Sequence, residues 1–101
     1  MKLDSHLDHL QLRDGTSLIG TVRNPTFTLE TNALGRLTLE TRRIISIVFR
    51  GDSTGAEERV VLKDGNQLFG TILDPTIEFR DDALGDLSIT TSKVLAMQFT
   101  F

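Results

Sequence analysis

The chain has no cysteine, tryptophan or tyrosine. Without cysteine no disulfide staples the fold, no thiolate holds a metal or attacks a substrate, and the redox compartment is left open. Without tryptophan and tyrosine, base stacking would fall to six phenylalanines. Those phenylalanines stand mostly at positions that read as core, so a stacking platform for nucleic acid is missing. Neither charge sign dominates: the net charge is −3, which makes the electrostatic term for binding phosphate weak. Long apolar runs are absent too. No stretch approaches the roughly eighteen apolar residues of a membrane helix, and Met1-Lys2-Leu3-Asp4-Ser5-His6 lacks the apolar centre of a signal peptide. A cytoplasmic location, no membrane partner and no cofactor are expected.

What is present is a repeat. Leu12-Arg13-Asp14-Gly15-Thr16-Ser17-Leu18-Ile19-Gly20-Thr21 returns fifty residues later as Leu62-Lys63-Asp64-Gly65-Asn66-Gln67-Leu68-Phe69-Gly70-Thr71. Laid together without a gap, residues 12–51 and 62–101 agree at 14 of 40 positions. Two units follow: residues 1–51, a lead and first repeat, and residues 52–101, a linker and second repeat. A 40-residue copy buries too little apolar surface to offset its own ordering entropy, so the copies are expected to share a core or to oligomerise. The two differ in charge. Residues 9–51 carry six basic and three acidic side chains, residues 52–101 four basic and nine acidic. Opposite signs on equivalent surfaces favour association within a chain or between chains.

Each copy reads as five short strands. Leu10 and Leu12 alternate with polar neighbours, and Asp14-Gly15, like Asp64-Gly65, is a strong hairpin signal. The second strand puts Leu18, Gly20 and Val22 on one face, with Leu68, Gly70 and Ile72 as counterparts. A glycine inside a strand costs stability, so its presence in both copies predicts a sharp bend or a close backbone approach. Asn24-Pro25 and Asp74-Pro75 interrupt the ladder, because proline offers no amide donor. A third strand with Phe27 and Leu29, or Ile77 and Phe79, leads through a turn ending in Gly35 or Gly85 to a fourth strand with Leu37 and Leu39, or Leu87 and Ile89. Residues 1–8 predict a turn of helix, although a first strand beginning near His6 fits almost as well, and residues 50–58 predict a mobile linker.

The fifth strand, Ile44 to Phe49 and Val94 to Phe99, is apolar on both faces, as in strands covered on both sides. Ile45, Ile47 and Phe49, with Leu95, Met97 and Phe99, form the inward row. Ile44 and Val48, with Val94 and Ala96, form an outer row. Ile44, Val48, Val94 and Ala96, together with Ile19 and Phe69 on the second strand, are the candidate interface, joining the copies or neighbouring subunits; a wider core within the chain fits the same pattern equally well, and a homo-oligomer is the expected partner state.

The run Leu62 to Ile72, a strand ending in Lys-Asp-Gly followed by Leu-Phe-Gly-Thr-Ile, resembles the first signature of Sm-like proteins. Leu34-Gly35-Arg36-Leu37-Thr38-Leu39 with Ile44 and Ile47 looks like the second. The resemblance implies small five-stranded barrels, often assembled into rings that bind RNA. The base-gripping loop of that family is here cut to Arg23-Asn24-Pro25-Thr26 and Leu73-Asp74-Pro75-Thr76. Its Arg-Gly pair would fall at Glu40-Thr41 and Thr90-Thr91. The fold likeness survives these departures, while RNA remains a disfavoured partner and the alternative reading.

Catalytic readings find little. Asp14 and Asp64 invite comparison with a carboxylate dyad made by duplication, but hairpin turns already explain them. His6 and His9, with Asp4 and Asp8, outline a metal site that lacks further placed ligands. Neither histidine has a counterpart in the other copy to serve Ser17 or Ser46 as a base. Arg42, Arg43 and Lys93, beside the turn into strand five, are candidate anion-binding residues. The expected architecture is all-β: two tandem five-stranded antiparallel meanders of Sm-like or SH3-like type, packed with pseudo-two-fold symmetry. The expected role is a non-enzymatic assembly or interaction module.

Overall fold

Alternating apolar residues and glycine-bearing turns produce ten short strands in the computed structural model, which describes residues 7–49, 58–81 and 83–99. The first copy forms β1 (Asp8–Leu12), β2 (Ser17–Val22), β3 (Thr26–Thr31), β4 (Gly35–Glu40) and β5 (Ile44–Val48). The second forms β6 (Glu58–Leu62), β7 (Gln67–Ile72), β8 (Thr76–Asp81), β9 (Gly85–Thr90) and β10 (Val94–Gln98). Single 3-10 turns, Thr41–Arg43 and Thr91–Lys93, precede β5 and β10. The expected N-terminal helical turn and the linker lie almost wholly outside the described residues; Asp8 already opens β1. At the two hairpin tips Gly15 and Gly65 have φ of 96° and 97°, a region where a side chain would be strained. The preceding aspartates take the next free amide, Thr16 N at 2.8 Å from Asp14 Oδ1 and Asn66 N at 3.0 Å from Asp64 Oδ1.

All ten strands join one antiparallel sheet in the order β4-β3-β7-β6-β5-β10-β1-β2-β8-β9. The expected meander within each copy breaks twice, between its second and third strands and between its fourth and fifth, since β4 and β9 are edge strands while β5 and β10 pair with each other. β2 pairs with β8 of the other copy through Thr21↔Arg80 and Val22↔Phe79. β3 pairs with β7 through Leu29↔Ile72 and Glu30↔Thr71. The copies therefore exchange their β3–β4 and β8–β9 hairpins, and the strand order is unchanged when the copies are interchanged and read from the opposite end.

Local chemistry fixes this exchange. A Cβ on Gly20 would strike the carbonyl oxygen of Arg80 and lie 3.0 Å from the Phe79 ring; one on Gly70 would strike the carbonyl oxygen of Glu30. Only glycine lets the strand of the other copy come so close. Proline then ends pairing along the copy's own strand, and the residue before it reaches across. Asn24 Oδ1 accepts the Glu78 amide at 2.8 Å, and its amide donates to the Thr76 carbonyl at 3.2 Å. Asp74 Oδ1 accepts the Thr28 amide at 2.8 Å. Backbone bonds from Arg23 N to Glu78 O (2.7 Å) and from Leu73 N to Thr28 O (2.9 Å) extend both crossings.

The core runs through the middle of the sheet and belongs to both copies. Leu18, Leu10, Met97, Ile47, Val60 and Leu68 face one another in one continuous cross-strand row. Phe27, Leu29, Ile77 and Phe79 on the exchanged hairpins are fully buried in the same cluster. Burying each such side chain contributes about 1.5–3 kcal/mol, a gain neither copy reaches alone.

Strand five departs from simple alternation. Ile44 and Val94, expected in the outer row, are fully buried in the core. Ile45 is half-buried and Leu95 is exposed, though both were expected inward. The reason is a β-bulge. Pairing passes from Ile44↔Leu62 to Ser46↔Val61 and from Leu12↔Val94 to Gln11↔Ala96, skipping Ile45 and Leu95. One extra residue returns the strand to the opposite face, so Ile44, Ile47 and Phe49 all point inward.

Candidate functional site

The outer face of the six central strands carries the surviving members of the candidate interface. Ile19 is 51% exposed and Phe69 44%, whereas Val48 and Ala96 are half-buried and sit opposite one another across β5 and β10. Ile44 and Val94 leave this face for the core, as the bulge requires. Registers define two outward rows, Ile19-His9-Gln98-Ser46 and Phe69-Arg59-Val48-Ala96. Members of the rows are equivalents offset by fifty positions: Ile19 with Phe69, His9 with Arg59, Gln98 with Val48, and Ser46 with Ala96. Half-buried Val61, opposite Ser46, adds an apolar residue that sequence reasoning overlooked; the adjacent pair Val60-Val61 was its signal.

The charged candidates separate into two places. Arg42 and Arg43 stand beside the β6–β7 hairpin, where Lys63 N donates to Arg43 O at 2.9 Å. Lys93 stands beside the β1–β2 hairpin, where Arg13 N donates to Lys93 O at 3.0 Å. β1, β10, β5 and β6 are successive antiparallel neighbours, so β1 and β6 run in opposite directions and their hairpin tips lie at opposite ends of the sheet. Arg42 and Arg43 therefore share no site with Lys93. The same geometry separates Asp14 from Asp64 and removes the paired-aspartate reading.

Glu40 bonds Arg43 Nε at 2.9 Å and lies 3.2 Å from Arg42. The hydrogen bond from Arg43, helped by the charge of Arg42, holds its carboxyl below the ordinary glutamate value. Asp14 is likewise held below its ordinary value, first by hydrogen bonding from Thr16 and least by the charge of Lys93. His9 is exposed on the outer face, and His6 and Asp4 lie outside the described residues. Among the described residues no group of three or more histidine, aspartate or glutamate side chains is placed to hold a metal ion.

Strand exchange also shapes two cavities, one at each crossing. The larger, 620 Å³, includes Val22, Asn24-Pro25, Thr41 and Phe99 in its wall. The smaller, 300 Å³, includes Ile72, Asp74-Pro75, Thr91 and Phe49. Every residue lining the smaller has its fifty-residue equivalent in the larger. Each threonine closes its crossing by bonding the carbonyl before the proline: Thr41 Oγ1 to Asn24 O at 2.5 Å, and Thr91 Oγ1 to Asp74 O at 2.6 Å. Sequence reasoning missed these cavities because it kept each copy's strands together.

Comparison with known proteins found no match to any family model, any curated protein or any solved structure. No helix among the described residues is long and apolar enough to cross a membrane.

Proposed function

We propose that the chain is a non-enzymatic assembly or interaction module that associates with copies of itself across the outer face of its six central strands. The reading treats it as two small five-stranded barrels of Sm-like or SH3-like type, related by a pseudo-two-fold and interlocked by their exchanged hairpins, and it carries a cytoplasmic location with it. The observation that supports it most is the exposure of Ile19 and Phe69, 51% and 44%, at equivalent ends of two equivalent rows. A two-fold interface needs one patch that meets itself, and a face built of two matching rows offers that. In those rows Arg59 is the only residue of fixed charge, so two copies meet with little like-charge repulsion.

Sedimentation velocity over a wide range of protein and salt concentrations tests the proposal. The wild-type chain should form a dimer or higher assembly. Ile19→Asp with Phe69→Asp should weaken association at least about tenfold, since a charge buried without a partner is costly, while leaving the far-UV circular dichroism unchanged. A wild-type chain that stays monomeric under every condition removes the proposal.

A further inference from the structure

We infer that the larger cavity, at the Asn24-Pro25 crossing, is a binding site for a small anionic molecule with an apolar body, and that its smaller twin is not. The duplicated fold supplies its own control, since every residue lining the smaller cavity has an equivalent in the larger. In the smaller cavity the guanidinium of Arg13 donates from Nε to Ser92 O at 3.0 Å and from Nη2 to Phe49 O at 3.2 Å. The chain's own cation thus lies across that space. Lys63 takes the place of Arg13 in the larger cavity, which encloses 620 Å³ against 300 Å³ in its twin.

The walls differ in the same direction. Where the smaller cavity has Leu73 and Ser92, the larger has Arg23 and Arg42. Formal charge among the lining residues is plus one in the larger, from Arg23, Arg42 and Lys63 against Asp8 and Glu40. It is minus one in the smaller, from Arg13 against Glu58 and Asp74. The two acids of the larger cavity are already engaged: Asp8 Oδ2 accepts the Val22 amide at 2.9 Å, and Glu40 is held chiefly by Arg43 at 2.9 Å. The two arginines are half or more exposed, and their ion pairs, Arg23 to Asp86 at 3.6 Å and Arg42 to Glu40 at 3.2 Å, are of the weak surface kind that a ligand can replace. Val22, Pro25, Ile44 and Phe99 supply apolar wall. Cationic groups beside an apolar pocket suit a carboxylate, sulfonate or phosphate monoester on an aliphatic or aromatic body, the arginines giving charge-assisted hydrogen bonds.

The test uses the full chain and two fluorescent probes, anilinonaphthalene sulfonate and the uncharged phenylnaphthylamine. The sulfonate should bind saturably at one site per chain, and the uncharged probe at least about tenfold more weakly. Arg23→Leu with Arg42→Ser gives the cavity residues that its twin already accommodates, and should weaken the sulfonate about tenfold or more. Arg36→Gln, the loss of one charge on exposed β4 away from the cavity, should leave the affinity unchanged. If the double variant melts at lower temperature, Arg42→Ser alone is read against the Arg36 control, with a loss of several-fold expected. Equal binding of both probes, two equal sites per chain, no binding of the sulfonate, or indifference to Arg23 and Arg42 would each overturn the inference.

Discussion

Replacing Gly20 by alanine adds one methyl group to a half-exposed strand, which in an ordinary sheet improves stability by relieving backbone entropy. Here the opposite is expected. The new Cβ would strike the Arg80 carbonyl oxygen and come within 3.0 Å of two atoms of the Phe79 ring. A side chain can turn aside, but the carbonyl belongs to β8 and cannot move without opening Thr21↔Arg80 and Val22↔Phe79, the pairs that join the exchanged hairpin to β2. Overpacking alone costs about 1–3 kcal/mol, and the rigid obstacle puts this variant at the top of that range, about 3 kcal/mol. For a chain of this length that lowers the melting temperature by roughly 12–24 °C. Gly15→Ala provides the scale: a Cβ there meets nothing within 4 Å, so only the positive φ is penalised, by about 1–2 kcal/mol. Thermal unfolding followed by far-UV circular dichroism compares the two. Gly20→Ala within about 1 kcal/mol of wild type would refute the close approach and, with it, the reason given for the exchange.

Three other outcomes follow from the same architecture. Asn24→Ala and Asp74→Ala each remove the side-chain acceptor of an amide of the other copy's strand, Glu78 N and Thr28 N respectively; each should cost about 0.5–1.5 kcal/mol in urea denaturation, and a neutral result would dismiss these side chains as clasps. Peptides of residues 1–51 and 52–101 should be unfolded separately and regain strand signal when mixed, because the central row from Leu18 to Leu68 draws on both; a folded peptide of either kind would contradict the shared core. Glu40, held below its ordinary value of 4.5 mainly by the hydrogen bond from Arg43, contributes stability that is present above that value and is lost as pH falls through its lowered one. Glu40→Gln should therefore flatten the fall of the urea midpoint below pH 4.5, and an unchanged acid limb would assign the loss to other carboxylates.

Much of the local structure was legible in the residues, and the pairing between copies was not. Asp-Gly at each hairpin tip encodes its own turn, so those loops and the strands beside them fell where alternation put them. Gly20 and Gly70 announced a bend or a near neighbour without saying whose backbone would come close. The equivalence of the copies explains why: β3 and β8 present nearly the same pattern to β2, with apolar residues at Phe27 and Leu29 or Ile77 and Phe79. Periodicity cannot choose between partners that look alike. Asn24 and Asp74 make the choice through side-chain bonds that exist only once the chain has crossed. Strand five failed for a different reason, since the bulge at Ile45 and Leu95 lies among apolar residues and leaves no mark in composition. That bulge carried Ile44 and Val94 out of the candidate interface and into the core, while Ile19 and Phe69, on unbulged β2 and β7, stayed where alternation placed them. The cavities are a product of the crossing itself and could not be seen before it.

Scalar couplings across hydrogen bonds, measured by NMR on the uniformly labelled chain, report directly which amide bonds which carbonyl. The exchange predicts a coupling from the Arg23 amide nitrogen to the Glu78 carbonyl and from the Leu73 amide nitrogen to the Thr28 carbonyl, both bonds shorter than 3 Å here. Couplings from Arg23 to a carbonyl in residues 26–31, or from Leu73 to one in residues 76–81, would show each copy pairing with itself and would contradict the interlocked sheet.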